Sequence, residues 1–586
     1  MKIAAPKSLA RPRLLALCCA MACAMPAHAD ERESVEAVRQ TTLNLIEALV
    51  ESGVLPRAKA DALIRAAHDK AAAQVAARPD AAATRTAGQD GRPTTTADGK
   101  PVFRVPYVPQ SVRDQIRDEV KGEVIAQARA ERWGVPDAPS WGSRIKVESD
   151  LRLRYQHDSP SGNNTSAAAY ALADVTNSNG LSRMPDFASY AVNDAGDLLP
   201  TANTTEAVNR ERIRLRVGLT ADVTDEVEVG VRLATGSAMD RVSTNQTLGQ
   251  NFNKYQFFVD RAYIRLKPNN WLSIQGGRIP NPWFSTEMVW NENLNFEGIS
   301  ATFRSTDTTD RLSPFLTLGY FPLREDSPPS RNSRSFWGAQ IGTDLEVSTD
   351  TRVRFGLAYY YYNNIEGYSD SDYTVIPPPA EGISVGSTYG RYEYPVGLRQ
   401  RGNTVFETNP LLNFANNVIR PTWGLAYEFR PVVLTASVVF TQFQPFEIML
   451  TAEYANNTAF SASDFHRRAD PTFYAGVNPG GRRDGYNLKM TVGALKLVNA
   501  GDWQTNFNYR HVGSDAVLDA FTDSDLGLGG TNLRGFSVGF LYNLYRNTSV
   551  GLRYLSAQNI DSTINSNYPT ASYKVDSLQG DINVRF

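Results

Sequence analysis

The chain has 586 residues, 60 Lys and Arg against 62 Asp and Glu, a formal charge of −2, and an aromatic content of 10%. Its three cysteines, Cys18, Cys19 and Cys23, all fall in the first 29 residues, so the rest of the chain has neither a disulfide nor a thiolate metal site. The charge balance excludes a basic nucleic-acid binder, and no stretch reaches the roughly 18 apolar residues that suggest a spanning helix.

Lys2, Lys7, Arg11 and Arg13 precede an apolar run from Leu14 to Met25 and the small-residue pattern Ala27-His28-Ala29. This is the pattern of a secretory signal peptide over residues 1–29, cut before Asp30. Its loss removes four positive charges and no negative ones, taking the formal charge from −2 to −6.

Residues 30–78 read as a helical segment. Val35, Val38, Thr42, Leu45 and Leu49 follow helical spacing, Gly53 and Pro56 break it, and Leu63, Ile64 and Ala67 resume it. A docking hairpin and a short coiled coil fit this pattern equally. Residues 79–105 are rich in Ala, Thr, Gly, Asp and Pro with little to bury, the composition of a flexible linker. Residues 106–140 hold a third helix and a connector. Ser111 is its N-cap, Val112, Ile116, Val120 and Val124 form an apolar row, and Gly134 and Pro136 end it.

The period then changes to two, over residues 141–586. Ile145, Val147, Leu151, Leu153 and Tyr155 alternate with charged residues, and Ile213, Leu215, Val217 and Leu219 alternate with Arg210, Arg212, Arg214 and Arg216. Sixteen such segments begin near Arg144, Arg210, Glu226, Phe257, Trp271, Leu294, Leu312, Ser335, Thr351, Thr422, Val432, Gly485, Trp503, Leu533, Ser549 and Val575. Short turns (222–225, 268–270, 348–350, 499–502, 546–548) alternate with long polar loops (156–209, 236–256, 363–420, 441–484, 514–532, 558–572).

This pattern predicts an all-β transmembrane antiparallel barrel of about 16 strands, with an α-helical N-terminal extension on the periplasmic side. A closed barrel pairs every backbone group inside hydrocarbon and leaves no edge. Tyr359 to Tyr362, Tyr542, Tyr545 and Tyr554 are expected in interfacial girdles. The last strand alternates Leu578, Gly580, Ile582, Val584 and Phe586 with polar residues. It resembles the C-terminal assembly signal of outer-membrane barrels, with Ile582, Val584 and Phe586 as its apolar residues.

Little in the sequence points to covalent chemistry. Gly382–Gly386 and Gly535–Gly539 match G-x-S-x-G around Ser384 and Ser537, but neither lies in a strand–turn–helix context. His68, His157, His466 and His511 are scattered, and neither Asp370 with Asp372 nor Asp523 with Asp525 has the rest of a calcium loop. No metal or cofactor is expected.

The informative polar set is basic: Arg152, Arg154, Arg210, Arg212, Arg214 and Arg216 on two neighbouring strands, with Arg261, Arg265 and Lys267 on a nearby wall. They either line a pore and favour anions, or brace the wall by pairing with Glu148, Asp150, Glu226 and Glu228. The aromatic loop from Pro280 to Asn293 either folds inward to narrow the channel or sits at the lipid rim.

Several motifs carry a family resemblance: Gly53-Val54-Leu55, Val105-Pro106-Tyr107-Val108-Pro109, Asp150-Leu151-Arg152-Leu153-Arg154-Tyr155, Asp260-Arg261-Ala262-Tyr263-Ile264, Arg278-Ile279-Pro280-Asn281-Pro282-Trp283 and Trp290-Asn291-Glu292-Asn293. Through them nearly the whole chain resembles the Putative porin family of proteobacterial outer membranes, which implies a porin-like barrel. The function expected is passive diffusion of small hydrophilic solutes with an anion preference. The alternative is a barrel-anchored adhesin or receptor acting through its long loops. Expected partners are outer-membrane lipid and lipopolysaccharide, the barrel-assembly machinery and the solutes themselves, with a homotrimer left open and no nucleic acid.

Overall fold

In this computed structural model the described residues are 142–586 apart from 171–179, 186–189, 193–197, 201–202, 305–310, 327–332, 377–381, 410–421 and 565–569. The expected signal peptide, helices and linker, residues 1–140, lie outside them.

The period-two segments form β1 (Ile145–Pro160), β2 (Val208–Asp222), β3 (Val227–Ala234), β4 (Phe258–Asn269), β5 (Leu272–Pro280) and β6 (Asn295–Arg304). Next come β7 (Leu312–Arg324), β8 (Arg334–Ser348), β9 (Thr351–Asn363), β10 (Pro431–Phe440) and β11 (Glu447–Asn457). The last are β12 (Asp484–Gly493), β13 (Trp503–Val512), β14 (Leu533–Tyr545), β15 (Thr548–Asn559) and β16 (Lys574–Arg585). Each pairs antiparallel with its neighbour in sequence, and β1 pairs with β16 as well as β2, so sixteen strands close a barrel. The two-residue piece Gln246–Thr247 lies against β2.

Closure fixes which side chains meet lipid. Leu153, Val217, Ile264, Ile299, Leu318, Ile341, Leu357, Leu488, Val538, Leu552 and Ile582 are all exposed, while their polar neighbours turn inward. In water each would forgo about 1.5–3 kcal/mol of burial; against acyl chains the same surface is matched. A 10-residue strand such as β6 rises about 33 Å and, tilted near 40°, crosses an apolar band of about 25 Å.

One expected strand is absent from the barrel and one unexpected strand takes its place in the count. The segment at Thr422 is not in the barrel: Trp423–Leu425 pairs with Val405–Glu407, which pairs with Leu181–Ser182, in a small sheet built by the loops. Trp423, Leu425, Ala426, Tyr427 and Phe429 are buried there. The missing barrel strand is β11, inside the segment expected as one long loop over 441–484. It was obscured because its inner face carries Met449 and Ala455 beside Thr451 and Glu453, which blurs the alternation. Residues 441–446 are therefore a short turn and 458–483 the loop.

The girdle assignment also divides. Tyr359 is 44% exposed on the lipid face, whereas Tyr360 and Tyr362 point inward and are buried. Those two belong to an aromatic cluster inside the barrel, and its occupant is the aromatic loop.

Candidate functional site

Loop 281–294 leaves β5 and folds into the lumen. Trp283, Met288 and Trp290 are buried against inward-facing Phe321, Phe336 and Tyr360. The Trp290 ring lies 5.2 Å from both Phe336 and Tyr360, edge-on to each, a geometry that adds about 0.5–1.5 kcal/mol per pair to area burial. Trp283 occupies space left by Gly338, where a Cβ would lie 2.6 Å from its ring. Polar bonds fix the backbone: Phe284 N donates to Gln340 Oε1 at 2.8 Å, and Thr286 N donates to Glu453 Oε1 at 2.8 Å.

The opposite end of the loop reaches across the lumen. Lys489 Nζ on β12 donates to Glu287 Oε1 at 2.5 Å. Burial alone would push the Glu287 carboxyl up, but Lys489 overrides it and holds the group at about 2.

A second loop, 513–532, also turns inward and joins the first. Asn291 N donates to Phe521 O at 2.8 Å and Asp523 N to Glu287 O at 2.9 Å. Its Asp525 meets Arg154 of β1 at 3.2 Å and Arg553 of β15 at 2.9 Å. These two guanidiniums outweigh burial and hold the Asp525 carboxyl far below its ordinary range. Asp523 is occupied by Arg510 at 3.3 Å and by the backbone of Asp525 and Leu526.

What the two loops leave open is three cavities in series. A loop-side chamber of about 360 Å³ is lined by Arg212, Arg241, Arg399 and Arg401 against one carboxylate, Asp240. Ser243 and Ser524 line both this chamber and a waist of about 110 Å³. The waist has Arg152, Arg154, Lys489, Arg510 and Arg553 against Glu287, Glu292, Asp523 and Asp525. Arg152, Arg154 and Lys489 also line a turn-side chamber of about 720 Å³, where Arg214, Lys496, Arg553 and Arg585 join them against Glu287, Glu292 and Asp581. Basic side chains exceed acidic ones at every level.

All nine basic residues singled out in the sequence lie on the inner face, and they divide by contact. Arg216 meets Asp150 at 2.6 Å and donates to Asn293 Oδ1 at 3.1 Å, tying the wall to the loop. Arg265 and Lys267 share Glu228, at 2.5 and 3.1 Å. Arg210 pairs with Asp158, and Arg261 donates to Asn295 Oδ1 at 2.8 Å. Arg214 takes the other oxygen of Asp150 at 2.9 Å, and Arg154 binds Asp581 at 2.7 Å.

Arg152 differs from these. Its guanidinium donates to Asn245 Oδ1 at 2.5 Å and has no ion pair among the described residues. Of the carboxylates expected to brace the wall, Asp150 and Glu228 do so; Glu226 instead takes the Thr224 hydroxyl at 2.9 Å.

Sequence reasoning missed Lys489, Arg510, Arg553, Glu287 and loop 513–532. The three bases were visible as lone cations on the polar faces of β12, β13 and β15, without the arginine runs that drew attention to β1 and β2. The inward turn of loop 513–532 had no local signal.

The remaining candidates are accounted for by local contacts. Ser537 is buried on the waist wall between lipid-facing Phe536 and Val538, and Ser384 is exposed in a loop hairpin with Tyr373–Ile376. Asp370 and Asp372 accept backbone N–H groups of Gly390, at 2.6 Å, and Thr388, at 2.7 Å, in loop turns. His511 stacks on Tyr486 with centroids 5.1 Å apart, and His157 Nδ1 lies 2.6 Å from Asn209 Oδ1. Among the described residues no group of three His, Cys, Asp or Glu side chains is placed to hold a metal.

A family model described as Putative porin matches residues 39–586. The chain belongs to that family. This porin is therefore an outer-membrane channel barrel. Among solved structures it is similar to the outer membrane channel DcaP of Acinetobacter baumannii, at 9% identity over 75% of this chain and 97% of that one, with a TM-score of 0.36. It is similar also to an anion-selective porin from Comamonas acidovorans (9%, 75% and 99%, 0.34) and to OprB of Pseudomonas putida (9%, 76% and 95%, 0.38). No curated protein matches the porin. Its fold rests on the strand pairing described above.

Proposed function

We propose that this porin passes small hydrophilic solutes by passive diffusion and favours anions, with Arg152, Arg154, Arg212 and Arg214 on the conducting path. The observation that carries this reading is the excess of basic side chains in all three cavities of the series, including the waist, the smallest of them. A fixed positive excess in a narrow aqueous passage raises the local concentration of anions and lowers that of cations.

Arg210, Arg216, Arg261, Arg265 and Lys267 act chiefly as braces in this reading, each through the partner named above. In this reading the N-terminal segment expected to be helical lies in the periplasm, and Ile582, Val584 and Phe586 serve barrel assembly. The deciding measurement is the reversal potential of the mature chain in a planar bilayer under a KCl gradient. Open channels with anion preference support the proposal, and cation preference refutes it. A folded barrel without conductance would turn the argument to the adhesin or receptor reading.

A further inference from the structure

The loop-side chamber has features that a passage for hydrated inorganic ions does not need. Four loops contribute to it, Met184 coming from the one between β1 and β2 and the other loop residues from 235–257, 364–430 and 513–532, and they bring apolar side chains beside the arginines. Met239 is 68% exposed, its Cε above Gly397, where a Cβ would lie 2.4 Å away. Val396 is 40% exposed beside it. Leu528 reaches the chamber from a left-handed backbone position, φ 60°, a conformation unfavourable for an L-residue that surrounding structure must hold in place.

The charge is placed with equal economy of partners. Arg241 is fixed by the Leu398 carbonyl at 2.6 Å and by that of Gly397, neutral acceptors that orient a guanidinium without cancelling its charge. Arg212 comes from β2 on the facing wall, with its Nε buried and without a hydrogen-bond partner among the described residues. The one carboxylate, Asp240, accepts the N–H groups of Val242 and Ser243 at 3.1 and 2.9 Å, so it is turned to its own loop. Burial pushes that carboxyl above its ordinary value, against the opposing pull of Arg241 and Arg212.

We propose that this chamber is a loading site for a small organic anion with an apolar body, its carboxylate held by Arg212 and Arg241 and its hydrocarbon part against Met239, Val396 and Leu528. The site deepens the anion-preferring reading and rests on it. Chambers of this size are within the range that binds small organic ligands, and its shared boundary at Ser243 and Ser524 delivers the bound solute to the waist.

The test uses the full mature chain in a planar bilayer in KCl, with hexanoate or acetate added on the loop side, and reads the concentration that halves the chloride current. Hexanoate is expected to act at a concentration about tenfold lower than acetate, since its extra methylenes find apolar contact. Arg212→Gln should raise the hexanoate value about tenfold. Met239→Ser, on an exposed loop position, should narrow the hexanoate-to-acetate difference to about threefold, and it serves if Arg212→Gln does not fold. Equal block by the two acids, or no response to either variant, overturns the loading site. If the KCl reversal potential is then still anionic, the broader reading stands without the site; if it is cationic, both fall.

Discussion

Arg152→Gln isolates the field of one cation at the waist. The guanidinium has one hydrogen-bond partner, Asn245, and no ion pair among the described residues, so the glutamine amide preserves a donor while removing a charge. At a separation on the order of 6 Å in water, one unit charge shifts a monovalent ion by about 0.7 kcal/mol. Screening at 0.1 M salt reduces this to about 0.4 kcal/mol. Anion occupancy should then fall about twofold and cation occupancy rise about twofold, lowering the anion-to-cation permeability ratio about fourfold. At 1 M salt, where the screening length is about 3 Å, the same substitution should change the ratio by only about 1.4-fold. Reversal potentials in KCl gradients around the two mean salt concentrations measure both numbers. An unchanged ratio at low salt, or a change of equal size at both, would refute the argument that Arg152 acts through its charge on the permeating ion.

Trp290→Ala removes the ring that meets Phe296, Phe336, Tyr360 and Phe521 at centroid distances of 4.9 to 5.6 Å; the loss should cost the loop seat about 3–5 kcal/mol. Single-channel records should show larger and noisier openings while the folded barrel keeps its heat-modifiable mobility on gels. Asp519, in loop 513–532, has its carboxyl pushed up by burial to about 6, above its value of about 3.9 in an open loop. Closure therefore takes up a proton, so the packed loop is most stable below about pH 4 and loses that stability as pH rises to about 6. Loop openings read as current fluctuations should be more frequent at pH 7 than at pH 4, and Asp519→Asn should flatten the dependence. Deleting Phe586 is expected to cut the yield of folded barrel in outer-membrane fractions severalfold, with no change in the conductance of the channels that do form.

The sequence was legible where one physical requirement acts on every second residue. Lipid demands an apolar outer face, so strands such as β2 and β16 announce themselves, and their closing register, Leu151 opposite both Leu215 and Val584, keeps apolar residues together. The same rule misled at Thr422. An alternating segment packed on both faces by loops reads like one that faces lipid. It failed in the opposite sense at β11, whose inner face carries Ala455, packed in the aromatic cluster, and Met449, on the wall of the turn-side chamber. A strand count of sixteen survived because one false strand replaced one hidden strand. The inward course of loop 513–532 was illegible because it depends on residues far away in the chain: Phe521 against Trp290, and Asp525 against Arg154 and Arg553.

The register shows how the wall divides structural from functional charge. In β3 and β4, Glu228 stands directly opposite Arg265, an arrangement in which neighbours attract and the sheet gains. On the same pair of strands Arg232 stands opposite Arg261, and β1 with β2 likewise mixes the two: Asp150 faces Arg216, while Arg152 faces Arg214 and Arg154 faces Arg212. Directly opposed like charges cost about 0.2–1 kcal/mol per pair relative to a neutral pair, and a wall needing only strength would avoid them. Asp150 and Asp581 relieve part of the repulsion by taking Arg214 and Arg154. In each pair the other arginine, Arg152 or Arg212, is left without a carboxylate among the described residues. Arg152 lines the waist together with Arg154, and Arg212 lines the loop-side chamber. Opposed arginines thus recur on the lumen side of both strand pairs, and the anion-favouring function proposed above would give that repulsion a use.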